Sequence, residues 1–590
     1  MCGIFGYVGR QSDAAKIVFE GLKRLEYRGY DSWGIAVLNE EGIRASKKVG
    51  AIGDLEKDIS LPDSFIGIGH TRWATHGGIS ETNAHPHYSS DKSFALAQNG
   101  IVENYADLRR VLLKKGYNFA TETDTEVIVR LIEDKAKKSA NLKEALRQAF
   151  LELKGRNTAI LITKNGEIIA ARNGSPLVIG IEGSDIYLSS DTLSFAPFAK
   201  KMIVVDNGQL VDCSKGRIAL YEMKTGQKIK HRFVDINLAD NRIDKEGYPH
   251  FMLKEIHEGP DAIRQLLERG LKEYLDFARV IKRAKNVYTI ASGTTGIAAA
   301  QIAFYLRRYP KIKAISLIGA DALEYLDLMT ADDLIIAPSQ SGETADVLEI
   351  LEIAKKKGVK IASFVNMQGS TMTRMSDYKF MAQAGPEVCV MSTKVFVSQI
   401  AWGYLISKIT VGKSGEGIKN LHLLSLVMAK YLKSPKNHSA LKTLAEKLLS
   451  AKDIFLLGKF QNFNIIKEGM VKLIEGTYKH AHAMPAGDLK HYAITLMEEG
   501  VPVIFAISED EAKFDVINAV NEVKARGAYV VGIAPSRHES FDYHLEVPDT
   551  SETSAIMNII PLQLLAYYLT VKLGYNVDKP RNIAKSVTVK

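Results

Sequence analysis

Cysteine is nearly absent from this chain: three in 590 residues, at positions 2, 213 and 389. Three distant cysteines make neither a disulfide framework nor a Cys-x-x-Cys metal site. That excludes a stapled secreted fold and points to a reducing, cytoplasmic setting. Long apolar runs are missing too. None approaches the roughly 20 residues that cross a bilayer, and the N-terminus lacks the basic-then-apolar pattern of a signal peptide, so no membrane partner is expected. Charge of one sign is only slightly in excess, +9 over 590 residues. There is no long basic block; Lys355-Lys356-Lys357 precedes Gly358 and reads as a solvated helix end. Nucleic acid is therefore not expected as a partner, although a mild positive balance suits anionic substrates. No GxxxxGK[ST] string occurs, which excludes a nucleotide P-loop.

What is present is ample material for cores: 46% hydrophobic and 25% charged residues. The length suggests about three to five folding units at roughly 100–200 residues each. Residues 1–240 alternate β-rich runs (67–78, 158–174, 202–213) with Asn-Gly turns, interrupted by helical stretches at 14–29 and 124–138, as in α+β layers. Residues 241–275 read as a polar linker and a leading helix. From 276 onward strands alternate with helices: "NVYTIASG", "KAISLIG" and "DDLIIAPSQSG" are each expected to run into a helix, the signature of a doubly wound parallel sheet.

That pattern recurs. "AKNVYTIASG" at Ala284 returns as "AKDIFLLGKF" at Ala451, 167 residues later, and "APSQSGETADVLEILEIAKKKG" at Ala337 returns as "AISEDEAKFDVINAVNEVKARG" at Ala506, 169 residues later. Two near-equal offsets across a whole βαβα unit mean a duplicated domain, with copies at 276–425 and 440–575 and a tail at 576–590. The copies are unequal. Ser-Gly-Thr-Thr and Ser-Gln-Ser-Gly follow the strands of the first, Lys-Phe-Gln-Asn and Ser-Glu-Asp-Glu those of the second, so binding chemistry is expected mainly in the first.

The chain opens MCGIFG. Trimming of Met1 before a small residue would leave Cys2 with a free amine beside its thiol, a built-in base for a nucleophile. "HTRWATHG" (70–77) offers Arg72 for a carboxylate. "QNGIVEN" (98–104) places Asn99 and Gly100 where an amide and a backbone N–H could face an oxyanion. "ETDTEV" (122–127) starts a helix with Asp124, suited to an ammonium. Together with LEYRGYDSWG (25–34) and NAHPH (83–87), these strings resemble the class II glutamine amidotransferase domain. The resemblance implies an N-terminal-nucleophile fold in αββα layers and attack by Cys2 on the glutamine side-chain amide. It also implies an oxyanion hole of Asn99 and Gly100, and glutamine held by Arg72, Trp73, Thr75, His76 and Asp124, with Trp73 also matching a gating indole. Gln98 stands where relatives often carry His.

In the back half, "ASGTTG" (291–296) and "APSQSGET" (337–344) each follow a strand and open a helix, where hydroxyls and backbone N–H groups bind phosphate well. With "VMSTK" (390–394) they resemble the sugar isomerase domain. That implies a phosphosugar pocket of Ser292, Gly293, Thr294, Thr295, Ser339, Gln340, Ser341, Thr344 and Ser392. In "EGMVKLIEGTYKHAHAMPAGDLKH" (468–491), Lys472 and Glu475 share a helical face and His491 follows a Pro/Gly loop. The tail "VDKPRNIAKSVTVK" has no periodicity of its own, which suggests that it docks elsewhere.

Over its full length the chain is similar to the glucosamine-6-phosphate synthase family, the isomerising glutamine–fructose-6-phosphate aminotransferases. Two sugar isomerase domains would then follow the amidotransferase domain. The family's implied reaction takes L-glutamine and fructose 6-phosphate to glucosamine 6-phosphate and glutamate at the start of hexosamine synthesis, with no metal or organic cofactor, in a homodimer or larger homo-oligomer. The implied roles are ring opening by His491, a Schiff base on Lys585, and proton transfer between C1 and C2 by Glu475 with Lys472 assisting. Tyr492, Ala493 and His482 depart from the family pattern around His491. Rival readings are a phosphosugar deaminase or deglycase, which needs no Cys2, and a phosphosugar-binding regulator, which needs neither Lys585 nor Glu475.

Overall fold

The computed structural model describes residues 2–53, 59–214, 216–236 and 244–588. Part of the expected linker, 237–243, lies outside the described residues. Compactness divides the chain into two units, 1–242 with 343–345 and 584–590, and 243–342 with 346–583.

Two antiparallel sheets form the first unit. One seats Gly3–Val8 between Asp185–Ser189 and Ile66–Arg72; the other seats Phe94–Gly100 beside Asn157–Thr163. The two-residue period of a strand builds the layers. Ala95 and Ala97 pack between the sheets with Ile4, Ile68 and Ile160. Phe94 and Leu96 face the other way, onto the helix layer of Val127, Leu131 and Leu146. The outer face of the first sheet packs through Phe5 and Trp33 onto Val18, Phe19 and Leu22 of the Ala14–Leu25 helix. The result is the expected αββα stack.

The second unit holds two five-stranded parallel sheets. In chain order within each copy, both run 2-1-3-4-5: Val287–Ala291 sits between Ala314–Ile318 and Leu334–Ser339, and Asp453–Gly458 between His480–Pro485 and Pro502–Ala506. Identical strand order is what an internal repeat requires. One expected helix is not formed. After Ala314–Ile318 the chain makes two 3-10 segments, Gly319–Asp321 and Leu323–Leu328. Of the leucines there only Leu326 is buried, while Leu323 and Leu328 are exposed, too narrow an apolar stripe to dock an α-helix. The helix Ser554–Lys572 is long and apolar enough, by length and composition, to pass for a membrane span, but it is buried inside the unit. Ile556, Ile560, Leu564 and Leu569 join one core with residues of both copies, and a helix surrounded on all sides is apolar all round.

Candidate active sites

In the first unit, Gly3 lies opposite Thr71 and its N–H donates to Thr71 Oγ1 at 3.2 Å. That register brings Cys2 to the backbone of Trp73. The Trp73 N–H donates to Cys2 Sγ at 3.3 Å, and the thiol faces the Trp73 carbonyl at 3.6 Å. The sulfur opens on a small pocket whose walls include Arg72, Trp73, Thr75, His76, Gly100 and Asp124. Burial pushes the thiol pKa up, against the Trp73 N–H and the Arg72 charge. The resting group is thus a thiol, the less nucleophilic of its two forms.

Arg72 organises the loop beyond it. Its Nη2 donates to the carbonyls of His76 at 2.6 Å and Gly77 at 3.1 Å, and Nη1 donates to Gly78 at 3.1 Å. The guanidinium is thus engaged with three carbonyls of the loop. Glu122 closes the same loop from the other side, its Oε2 accepting from Gly78 N–H at 3.1 Å and from Asn83 Nδ2 at 3.0 Å. His76 stands edge-on to Tyr105, Trp73 edge-on to Tyr30, and Thr75 is exposed at the rim.

Asp124 opens the helix Asp124–Ala136, which Thr123 caps by accepting from Glu126 N–H. The Asp124 carboxylate accepts from Val102 N–H at 2.8 Å, and burial pushes its pKa up. Gly100 has φ +130°, and a Cβ there would stand 2.0 Å from the Arg156 carbonyl oxygen. Asn99 is not on the pocket wall. Both polar atoms of its side-chain amide are buried, beside the His70 ring.

In the second unit the strand order switches between Val287–Ala291 and Leu334–Ser339, the place where doubly wound sheets bind ligands. Ser292 stands at the N-cap of Gly293–Arg308, its Oγ buried and, among the described residues, unpartnered. Thr295 Oγ1 donates to the Ser292 carbonyl at 2.8 Å. Ser339 Oγ accepts from Gly342 N–H at 2.8 Å, and the Gln340 carbonyl accepts from Met367 N–H at 3.1 Å. These two bonds shape the turn carrying Ser341, which is half-buried; Thr344 groups with the first unit. Ser392 donates to Glu387 Oε2 at 2.9 Å.

Lys472 is fully buried on the helix Phe463–Thr477. Its Nζ lies 2.5 Å from Glu475 Oε2 and 3.3 Å from Glu468 Oε1, and it donates to Thr294 Oγ1 at 3.1 Å. Burial opposes its charge, yet Glu468 and Glu475 hold it as the ammonium. His491 does not join this cluster; it is exposed at the end of the 3-10 segment Ala486–His491. The coil tail docks, as its lack of periodicity suggested. Asp578 accepts from the N–H groups of Phe251 and Met252, and Arg581 N–H donates to Tyr478 Oη at 2.8 Å. Further along, Ala345 N–H donates to the Val587 carbonyl at 3.0 Å, two residues past the half-buried Lys585.

The glutamine amidotransferase domain family matches residues 70–197, and the SIS domain family matches 280–407 and again 447–573. A glutamine–fructose-6-phosphate aminotransferase (isomerising) of Pyrococcus horikoshii is 36% identical over 599 residues, covering all of both chains. That of Pyrobaculum aerophilum is 38% identical over 607 residues, again covering all of both. This chain belongs to the glutamine–fructose-6-phosphate aminotransferase family. Among solved structures, the C-terminal domain of the glucosamine-fructose-6-phosphate aminotransferase from Francisella tularensis aligns with a TM-score of 0.52 at 28% identity. It covers 57% of this chain and all of its own.

Sequence reasoning about this family member missed several acids. Glu468 precedes Lys472 by one helical turn, a signal that was there to read. Glu387 accepts from Ser392 and from the N–H groups of Thr393 and Val395, so it shapes the loop that supplies Ser392. Asp31 accepts from Ala74 N–H at 2.8 Å, and Glu122 was passed over beside Asp124. Their partners lie 43 and 44 positions away, beyond any local pattern.

Proposed function

We infer that the protein transfers the amide nitrogen of L-glutamine to D-fructose 6-phosphate with isomerisation, releasing D-glucosamine 6-phosphate and L-glutamate. The observation that carries this reading is the pairing, in one chain that matches its relatives over their whole length, of a pocketed cysteine beside Arg72 and Asp124 with a buried lysine held between two carboxyls and the Thr294 hydroxyl.

Removal of Met1 would place an amine beside the thiol, and that amine takes the thiol proton as Sγ attacks the glutamine Cδ. The tetrahedral oxyanion meets the Asn99 amide and the Gly100 N–H. Collapse breaks the C–N bond, the proton returns to the leaving nitrogen, and ammonia departs from a thioester. Water then cleaves the thioester to glutamate and restores the thiol. Asp124 suits the substrate ammonium, and Arg72 suits its carboxylate by exchanging loop carbonyls for substrate oxygens.

In the sugar half, His491 opens the ring and Lys585 forms a Schiff base with the C2 ketone, losing water. Ammonia displaces the lysine, and Glu475 moves a proton from C1 to C2. The fixed ammonium of Lys472 offers a proton donor at the sugar hydroxyls. The phosphate sits on the loops of Ser292–Thr295, Ser339–Thr344 and Ser392. Trp73 serves as the gate for ammonia. An exposed His491 suits a residue lent to a neighbouring copy, so the reading includes a homodimer or larger assembly, in the cytoplasm.

The test supplies amide-¹⁵N-glutamine and fructose 6-phosphate to the purified protein. A hexosamine phosphate heavier by one nitrogen label is expected. Labelled ammonia and glutamate without labelled sugar would overturn the acceptor.

A further inference from the structure

Gln98 carries more hydrogen bonds than a strand residue needs, and their directions can be assigned. Its backbone N–H can only donate, so the His85 Nδ1 it meets at 3.3 Å is the acceptor. The proton of neutral His85 is then on Nε2, which faces Thr125 Oγ1 at 3.3 Å as the donor. The Thr125 hydroxyl donates in turn to Gln98 Oε1 at 2.7 Å. Gln98 Nε2 donates to Asn157 Oδ1 at 2.8 Å, and Asn157 Nδ2 donates to the Lys154 carbonyl at 3.2 Å. The Gln98 carbonyl takes His70 Nε2–H at 2.9 Å, and the His70 ring stacks on His85 with centroids 4.0 Å apart. Gln98, Thr125, Asn157, His70 and His85 are all buried.

We propose that Gln98 is a positioning residue for glutamine hydrolysis: its side-chain amide closes a buried ring of hydrogen bonds that ties the Asn99–Gly100 strand end to the helix start bearing Asp124. This rests on the glutamine-hydrolysing reading of the Cys2 pocket. Gln98 is next to Asn99 on the strand paired with Asn157–Thr163, so the backbone that the ring anchors helps set where the Asn99 amide stands beside the His70 ring. Arg72 and Asp124 keep separate partners in the His76–Gly78 loop and at Val102. Losing the ring therefore displaces the oxyanion donors more than the substrate-binding groups.

Burial, with the surrounding cations, leaves the ring neutral. Lys47, Arg72 and Arg130, with Asp124 and Glu126 of the helix, surround His70, His85, His87 and the Cys2 thiol. Burial holds His70 down to about 3 and keeps His85 and His87 well below the usual imidazole range. No imidazole in the ring gains a proton at working pH, so the wild-type ring has no acid limb of its own.

Two substitutions separate a positioning role from mere packing. Gln98→Ala opens the ring, and kcat for glutamate release is expected to fall about tenfold or more with KM held within about threefold, since an ångström of misplacement carries penalties of that size. Gln98→Glu is nearly isosteric. Protonated, the introduced carboxyl still donates to Asn157 and accepts from Thr125; ionised, it cannot donate. Its kcat is expected to approach wild type at the acid end and to fall as pH rises, a limb absent from wild type. A Gln98→Glu profile parallel to wild type at every pH, whether reduced or not, overturns the proposal, as does full kcat in Gln98→Ala. If wild type releases no glutamate, the parent reading fails instead. Hydrogen exchange at the Asn99 and Gly100 amides then still decides the ring: faster exchange in Gln98→Ala supports it, and an unchanged rate overturns it.

Discussion

Lys472 Nζ lies 2.5 Å from Glu475 Oε2, three residues along the same helix, and no part of the lysine side chain reaches solvent. Glu468, one turn earlier, completes a cluster in which one cation sits between two carboxyls. Removing the cation leaves fully buried Glu468 without its counter-charge. Lys472→Met is expected to cost about 3–5 kcal/mol of stability, the usual effect of breaking a buried ion pair. Glu475→Gln leaves the Lys472–Glu468 pair intact and should cost far less. Both should abolish hexosamine phosphate formation, Glu475→Gln by about a hundredfold or more in kcat, while glutamate release persists. Thermal melting and the two product assays on the same samples check this.

Burial raises Glu468 to about 7, against the pull of Lys472. A carboxyl whose folded pKa lies above its unfolded value of about 4.3 stabilises the fold fully below that value and loses the contribution as pH rises through the folded pKa. The wild-type melting temperature should therefore carry a component that falls between about pH 4.5 and 7.5. Glu468→Gln should flatten that window, and equal slopes in the two proteins would contradict the assignment.

Cys2→Ala removes the one sulfur that, among the described residues, lines the pocket beside Arg72 and Asp124. Glutamate release should drop to background. The sugar half should be untouched: borohydride in the presence of fructose 6-phosphate should still attach a sugar mass to the peptide carrying Lys585, and Lys585→Ala should abolish that adduct.

Gly100→Ala forces a methyl to within 2.0 Å of the Arg156 carbonyl at a backbone angle of φ +130°. Strain of this kind costs on the order of 1–3 kcal/mol even before the clash is relieved. The strand end should shift, with glutamate release falling more steeply than the melting temperature. Unchanged hydrolysis would remove Gly100 from the oxyanion site.

Much of this molecule was legible in the chain because the relevant signals are local. The Asn-Gly strings at 165–166 and 207–208 do reverse the chain, with Gly166 at φ +78° and Gly208 at φ +75°. The repeat offsets reappear as two sheets of one strand order. Glycine-rich loops opening helices, and the terminal Cys-Gly, are likewise short-range patterns. The segment after Ala314–Ile318 was misread because a helix was expected from the strand–helix alternation around it, whereas of its three leucines, 323, 326 and 328, only Leu326 finds neighbours to bury it.

By itself, then, the sequence determined the two kinds of unit, the duplication, and the residue types gathered at each candidate site, because period, turn chemistry and motif spacing are properties of neighbouring residues. Tertiary structure alone decided how those residues are held. The loop carbonyls on Arg72, the acids around Lys472, and the Gln98 amide between Thr125 and Asn157 each join positions whose distance is set by strand pairing and helix packing. Hydrogen bonds act over about 3 Å, so only the folded chain can say which donors and acceptors lie within reach.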